Sequence, residues 1–175
     1  MPVYALGDLV PTIHPTAFVH PDAVVIGAVT IGSQSSVWPG AVLRGDTGGE
    51  IVVGERTSIQ DNSVIHCTAD AWTRVGDDCV IGHIVHLEGC TIESGSLVGS
   101  GSVVLHRAVV HTGAIVAANS VVLDDTDIPS GALAVGSPVT IKPGRARADF
   151  IAEGAASYVE KARVYPGLLR RIDGV

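Results

Sequence analysis

Residues 80–90 read VIGHIVHLEGC, and within six positions they hold His83, His86 and Glu88. A fourth group of the same kind, His66, closes the run TSIQDNSVIH. Imidazole nitrogen and carboxylate oxygen are donors that zinc, iron(II) or cobalt accept. Three such donors plus a water make an open metal site of the kind that activates water. Whether these groups meet depends on which way each side chain points. That is decided by the elements that carry them.

The elements are set by a six-residue lattice. Every sixth residue from Ile13 is aliphatic: Ile13, Val19, Val25, Ile31, Val37, Leu43. The series resumes at Val53, Ile59 and Ile65, again at Val75, Ile81 and Leu87, and again from Ile92 through Val98, Val104, Val110, Val116, Val122 and Ile128. All nineteen positions are filled without a polar residue, although only 46% of the chain is apolar. A helix would show a period near 3.6 and a half-buried strand a period of 2. A hexad with one aliphatic and frequent glycine predicts a parallel β-helix. Three hexads per triangular turn give about six coils. The ten-residue steps Leu43–Val53 and Ile65–Val75 predict outward loops, and the five-residue step Leu87–Ile92 a tightened corner. The repeat occupies residues 1–143 and is expected to lose strand pairing at Pro138 and Pro143. Residues 144–175 then change character. Ile151, Ala155, Tyr158, Ala162 and Tyr165 recur at three and four residues, which predicts an amphipathic helix lying on the β-helix, ended by Pro166.

Composition narrows the partners. The formal charge is −7 with no basic run, which argues against nucleic acid and anionic membranes. Cys67, Cys79 and Cys90 are odd in number and form no CxxC pair, as expected of a chain in a reducing cytoplasm. MPVYALGDLV lacks the basic and apolar regions of a signal peptide, and no apolar run reaches membrane-spanning length.

Alternation along a strand then orients the chemistry. Ile65 and Leu87 point inward, so His66, His86 and Glu88 point outward. His66 and Glu88 fall at matching places on adjacent coils, about 4.8 Å apart. His83 follows Ile81 by two residues and belongs to another edge of the prism. It is expected to reach the same metal only from a neighbouring subunit, and a three-sided prism suits a cyclic trimer. His14, His20, His106 and His111 are expected to be solvated.

These residues resemble the γ-class carbonic anhydrase family. VWPGAVLRGD, TSIQDNSVIH, IGH, HLEGC and AVGSP match its order and spacing from about residue 10 to 142, and ASYVEKARVY resembles its C-terminal helix. The resemblance implies a trimer of left-handed β-helices with zinc or iron between subunits, and reversible hydration of carbon dioxide to bicarbonate by metal-bound hydroxide. It makes His66 the first metal ligand and His83 the one donated across the interface. The third histidine would fall at position 88, where this chain has Glu88 and gains His86 nearby. Either His86 ligates, preserving a neutral ligand set with Glu88 behind it, or Glu88 ligates directly. Arg44 and Asp46 match an intersubunit salt bridge, Gln60 the residue that orients the reacting water, Asp61 its structural neighbour, and Tyr158 an aromatic near the substrate. Two proton-transfer glutamates of active members are replaced by Thr47 and Ala69, so hydration is expected to be slow or lost. Two other classes compete: a hexapeptide acyltransferase using acyl-coenzyme A, which shares the solenoid, and a non-catalytic trimeric scaffold that binds a metal or ligand.

Overall fold

One inward aliphatic per hexad is enough to hold a strand only two to four residues long, because its neighbours above and below repeat the same side chain. The computed structural model describes residues 2–173. The strands stack into three parallel sheets of seven, one on each side of a left-handed triangular solenoid, and the third sheet carries one strand more. In the first sheet the register aligns Val25, Leu43, Ile65, Leu87, Val104 and Val122 in one column. Each of them is 0% exposed. Truncating one such residue to alanine would cost about 2–5 kcal/mol, since a packed column has no slack to refill the space. Ile13 is only partly buried, because it lies near the end of the stack.

There are thus seven coils rather than about six. The lattice from Ile13 to Ile128 misses the outermost strands, Val3–Tyr4 and Leu133–Val135. Nor does pairing stop at the prolines. Pro138 sits in a turn, and Thr140–Lys142 folds back antiparallel on Leu133–Val135. Antiparallel return needs only a short turn, so the prolines redirect the chain instead of ending the sheet.

The two long steps both emerge at the corner between the first and second sheets, one above the other. Thr47 Oγ1 donates to the carbonyl of Cys67 at 2.6 Å. Gly49 lies so close to the upper loop that a Cβ there would meet the Thr68 carbonyl oxygen at 2.2 Å, so only glycine permits this stacking. Cys67, Cys79 and Cys90 are free and buried. Burial pushes the Cys79 thiol up to about 11 and Cys90 up to about 12, which keeps both as inert core packing.

The helix spans Ala148–Leu168 and buries Ile151, Ala155 and Ala162 against the third sheet. Small outward residues, Ser36 and Ser58, let it approach the strands beneath. Trp38 anchors its far half, with ring centroids 5.5 Å from Tyr158 and 4.9 Å from Tyr165. Pro166 lies inside the last turn and does not end the helix at once: Leu169 N–H still reaches the Tyr165 carbonyl at 2.8 Å. A proline near a helix end forfeits only a local bond. Among the described residues, no helix is long and apolar enough to cross a membrane. Met1 and the last two positions of the 144–175 segment lie outside the described residues.

Candidate functional site

The outward face of the first sheet carries most of the chemistry. The strands Val42–Gly45, Val64–His66 and His86–Glu88 lie side by side, and their register puts Arg44, His66 and Glu88 in one row across them. Arg44 Nη1 donates to Asp46 Oδ2. Asp46 Oδ1 lies 3.0 Å from His66 Nε2, His66 Nδ1 lies 2.8 Å from Glu88 Oε1, and Glu88 Oε2 lies 3.3 Å from His86 Nε2. The result is a continuous run Arg44–Asp46–His66–Glu88–His86. Burial raises the Asp46 carboxyl, but the hydrogen bonds with Arg44 and His66 outweigh it and hold the group below its ordinary value. Glu88 is held low chiefly by its hydrogen bond with His66, with burial opposing and His86 adding to the effect. Both carboxylates therefore stay ionised at neutral pH beside the imidazoles.

A second set gathers at the next edge. His83 stands just past the strand Val80–Ile81, with Nδ1 2.8 Å from Asp61 Oδ2. Gln60, only 4% exposed, joins His83, Phe150 and Tyr158 in lining a recess of ≈ 450 Å³ that runs over Leu97 and Ile115. Burial, with the charge of Asp61 next in size, pushes the Tyr158 phenol above its ordinary value. No hydrogen bond or ion pair among the described residues joins this set to the run on the first sheet. Among those residues, no three His, Cys, Asp or Glu side chains of one chain are grouped to hold a metal ion.

Two of the histidines expected to be solvated are not. His20 packs edge-on to Phe18 with a side chain 12% exposed. His106 leans over Gly89, and its Nε2 is buried without a hydrogen-bond partner, 3.9 Å from Glu88 Oε1. His106 is a site neighbour that the lattice argument missed. It lies three hexads above Glu88, but the tightened corner shifts the register by one residue. Leu87 pairs with Val104, so His106 stands beside the row instead of on it.

These donors suit a divalent cation. In its neutral form the His66 ring donates through one nitrogen and accepts through the other, so only one of the two carboxylates then receives its N–H. Glu88 at Nδ1 is the arrangement by which a carboxylate orients a ligating histidine. That leaves Nε2, which faces the second carboxylate of the run, as the nitrogen available to a cation. The orphaned His106 Nε2 lies by Glu88 Oε1, on the Nδ1 side of the His66 ring and not beside Nε2. Within one chain the face and the edge bearing His83 are not joined, so the two sets could share one ion only if a second chain brought the other half.

No family model matches the chain. The carnitine operon protein CaiE of Escherichia coli K12 is 44% identical over 110 residues, which is 63% of this chain and 56% of that protein. The chain thus spans little more than half the length of the curated relative it matches. A hexapeptide transferase family protein from Anaplasma phagocytophilum is 35% identical, with a TM-score of 0.88 over 96% of this chain and 98% of that one. The chain belongs to the hexapeptide-repeat family of that relative. A Bacillus cereus member of the same fold, named as a candidate acetyltransferase, superposes with a TM-score of 0.91 at 30% identity over 95% of this chain. The N-acyltransferase AntD of Bacillus cereus, at 15% identity and a TM-score of 0.66, shares the fold alone. Membership of the hexapeptide-repeat family fixes the solenoid and leaves the reaction to be argued from the site.

Proposed function

We propose that this chain is a divalent-metal-dependent, γ-carbonic anhydrase-like protein, that its site is completed between copies of a homotrimer, and that it hydrates carbon dioxide slowly and reversibly. The observation that carries this reading is the run Arg44–Asp46–His66–Glu88–His86 on an outward sheet face that is otherwise apolar. Val24, Val42, Val64, Val103 and Val121 also point outward there, and Val64 is 40% exposed. Charged groups set among partly exposed aliphatics suit a surface that another protein covers. Hexapeptide-repeat proteins of this fold are typically trimers.

In this reading His66 and His86 hold the cation from one copy and His83 from the next, with Glu88 as the alternative to His86. A bound divalent cation, zinc or else iron(II) or cobalt, supplies the Lewis acidity that makes water a nucleophile near neutral pH. The chain's own groups do the rest. Glu88 fixes the His66 ring through Nδ1, and Arg44 fixes Asp46. Gln60, beside His83, has both a donor and an acceptor with which to orient a water. Tyr158 and Phe150 give the recess an apolar wall suited to a small uncharged substrate such as carbon dioxide. Thr47 and Ala69 have no carboxylate with which to relay protons, which is why turnover should be slow. Stopped-flow hydration assays on protein loaded with zinc, iron(II) or cobalt should show an activity that falls to background after chelation and returns with metal. Absence of metal-dependent hydration in the loaded protein would remove the reaction from this account.

A second reading is favoured by the recess itself. It runs over successive rungs past Val98, Val116 and Ala118, which suits an extended chain such as the arm of acyl-coenzyme A. Two relatives carry transferase names. Saturable binding of acetyl-coenzyme A that Leu97→Glu abolishes would favour this reading over hydration.

A further inference from the structure

A left-handed solenoid turns its corners on residues in the left-handed backbone region. At the corner between the third and first sheets these are Gly40, Asn62, Ile84, Gly101 and Asn119, with φ between 55° and 73°. Glycine and asparagine accept that conformation, whereas a β-branched residue collides with its own backbone. Among the described residues eight non-glycine positions have positive φ, and Ile84 is the one apolar, β-branched member. Packing within the chain gives nothing back, since Ile84 is 66% exposed. The corner is nonetheless firmly held: Ile84 N–H donates to the Asp61 carbonyl at 2.9 Å, and Gly101 N–H to the His83 carbonyl at 2.8 Å. The isoleucine is therefore presented outward in one direction, immediately after His83.

We infer that Ile84 is an assembly contact: its side chain packs on the outward valines of a second copy's first sheet and so seats His83 opposite that copy's His66. The inference rests on the split-site reading above. Two observations choose a second copy as the occupant. The face that needs His83 is flanked by Val64 and Val103, which align on either side of His86 in the register. An exposed aliphatic beside one half of the proposed ligand set thus has exposed Val64 and part-exposed Val103 beside the other half. An edge of one copy on the face of the next is also a heterologous contact, the kind that closes into a ring. Strain that is retained at a site and unrewarded locally is expected where the reward lies in function. Ile84 is a positioning residue in this account and does not touch substrate.

The test uses Ile84→Asn, Ile84→Val and Val64→Asn in the full chain. Asparagine already occupies this corner at Asn62 and Asn119, so the fold should survive, and far-ultraviolet circular dichroism checks that it does. In sedimentation velocity across a dilution series, Ile84→Asn should dissociate at concentrations at least about tenfold higher than the parent, as expected on loss of a central apolar contact. At dilutions where both are monomeric, its Tm should lie about 2–4 °C above the parent, because the backbone strain is relieved. Ile84→Val should assemble like the parent, and Val64→Asn should weaken assembly from the opposite side. An Ile84→Asn chain that melts higher yet assembles as tightly as the parent overturns the inference and leaves the split site standing. A parent that is monomeric at every concentration overturns both.

Discussion

At His66 two carboxylates compete for one ring, and the contest bears on the question left open by His86 and Glu88. Glu88 Oε1 sits at Nδ1 and Asp46 Oδ1 at Nε2, while the other oxygen of Glu88 faces His86. A carboxylate already shared between two imidazoles is better placed to hold them than to leave them for a metal. Glu88→Gln keeps an acceptor for Nδ1 and removes the charge. It should retain metal while weakening its affinity about 10–100-fold, the usual effect of losing a carboxylate behind a ligating histidine. His86→Ala should lose the metal outright. Elemental analysis after dialysis against graded chelator reads both. If Glu88→Gln is metal-free and His86→Ala is fully loaded, Glu88 is the ligand and the roles exchange. His106 belongs to the same scale. Its proximity to Glu88 was hidden in the sequence because the five-residue step shortens by one residue each pairing that spans it, Leu87 with Val104 among them.

Among the elements, the second sheet carries an ion pair unrelated to the site that tests how the rungs are tied together. His111, just past the strand Val109–Val110, has Nε2 2.7 Å from Asp127 Oδ1 and Nδ1 3.1 Å from Glu93 Oε1. One ring therefore bridges three successive coils. The hydrogen bond with Asp127 raises the imidazole above its ordinary value of 6.5, with burial opposing and Glu93 adding to the rise. A folded-state value above the unfolded one stabilises the fold below the unfolded value and loses that contribution as pH rises through the folded value. His111→Gln should thus lower Tm relative to the parent at about pH 5.5, and the gap should narrow by about pH 9. Thermal melts at the two pH values check this, and a gap that widens with pH contradicts it. The hexads themselves were plain in the sequence, because each rung must bury an aliphatic and nothing else fills so narrow a prism. The return strand Thr140–Lys142 was not, since prolines mark a change of direction without saying whether the chain leaves the sheet or folds back on it. Pro166 misled in the same way at the helix end.

For the whole molecule, the division of the proposed ligand groups between a face and an edge matters most. Alternation along the hexads is enough to separate His83 from His66, His86 and Glu88 in the sequence. What alternation could not supply was the surface around them: the outward valines, the strained Ile84, and the recess formed only when the C-terminal helix brings Phe150 and Tyr158 beside Gln60. In a ring, each site would take His66 from one copy and His83 from the next, so a copy lacking one histidine can still serve its neighbour with the other. The direct measurement is metal content of His66→Ala and His83→Ala proteins, each alone and after unfolding and refolding together in equal amounts. Each variant alone should bind no metal. The mixture should recover about a quarter of the parental content, since random assortment around a ring leaves that share of interfaces with both histidines. A mixture that stays metal-free while its subunits exchange, or either variant keeping full metal by itself, would contradict a site built between chains.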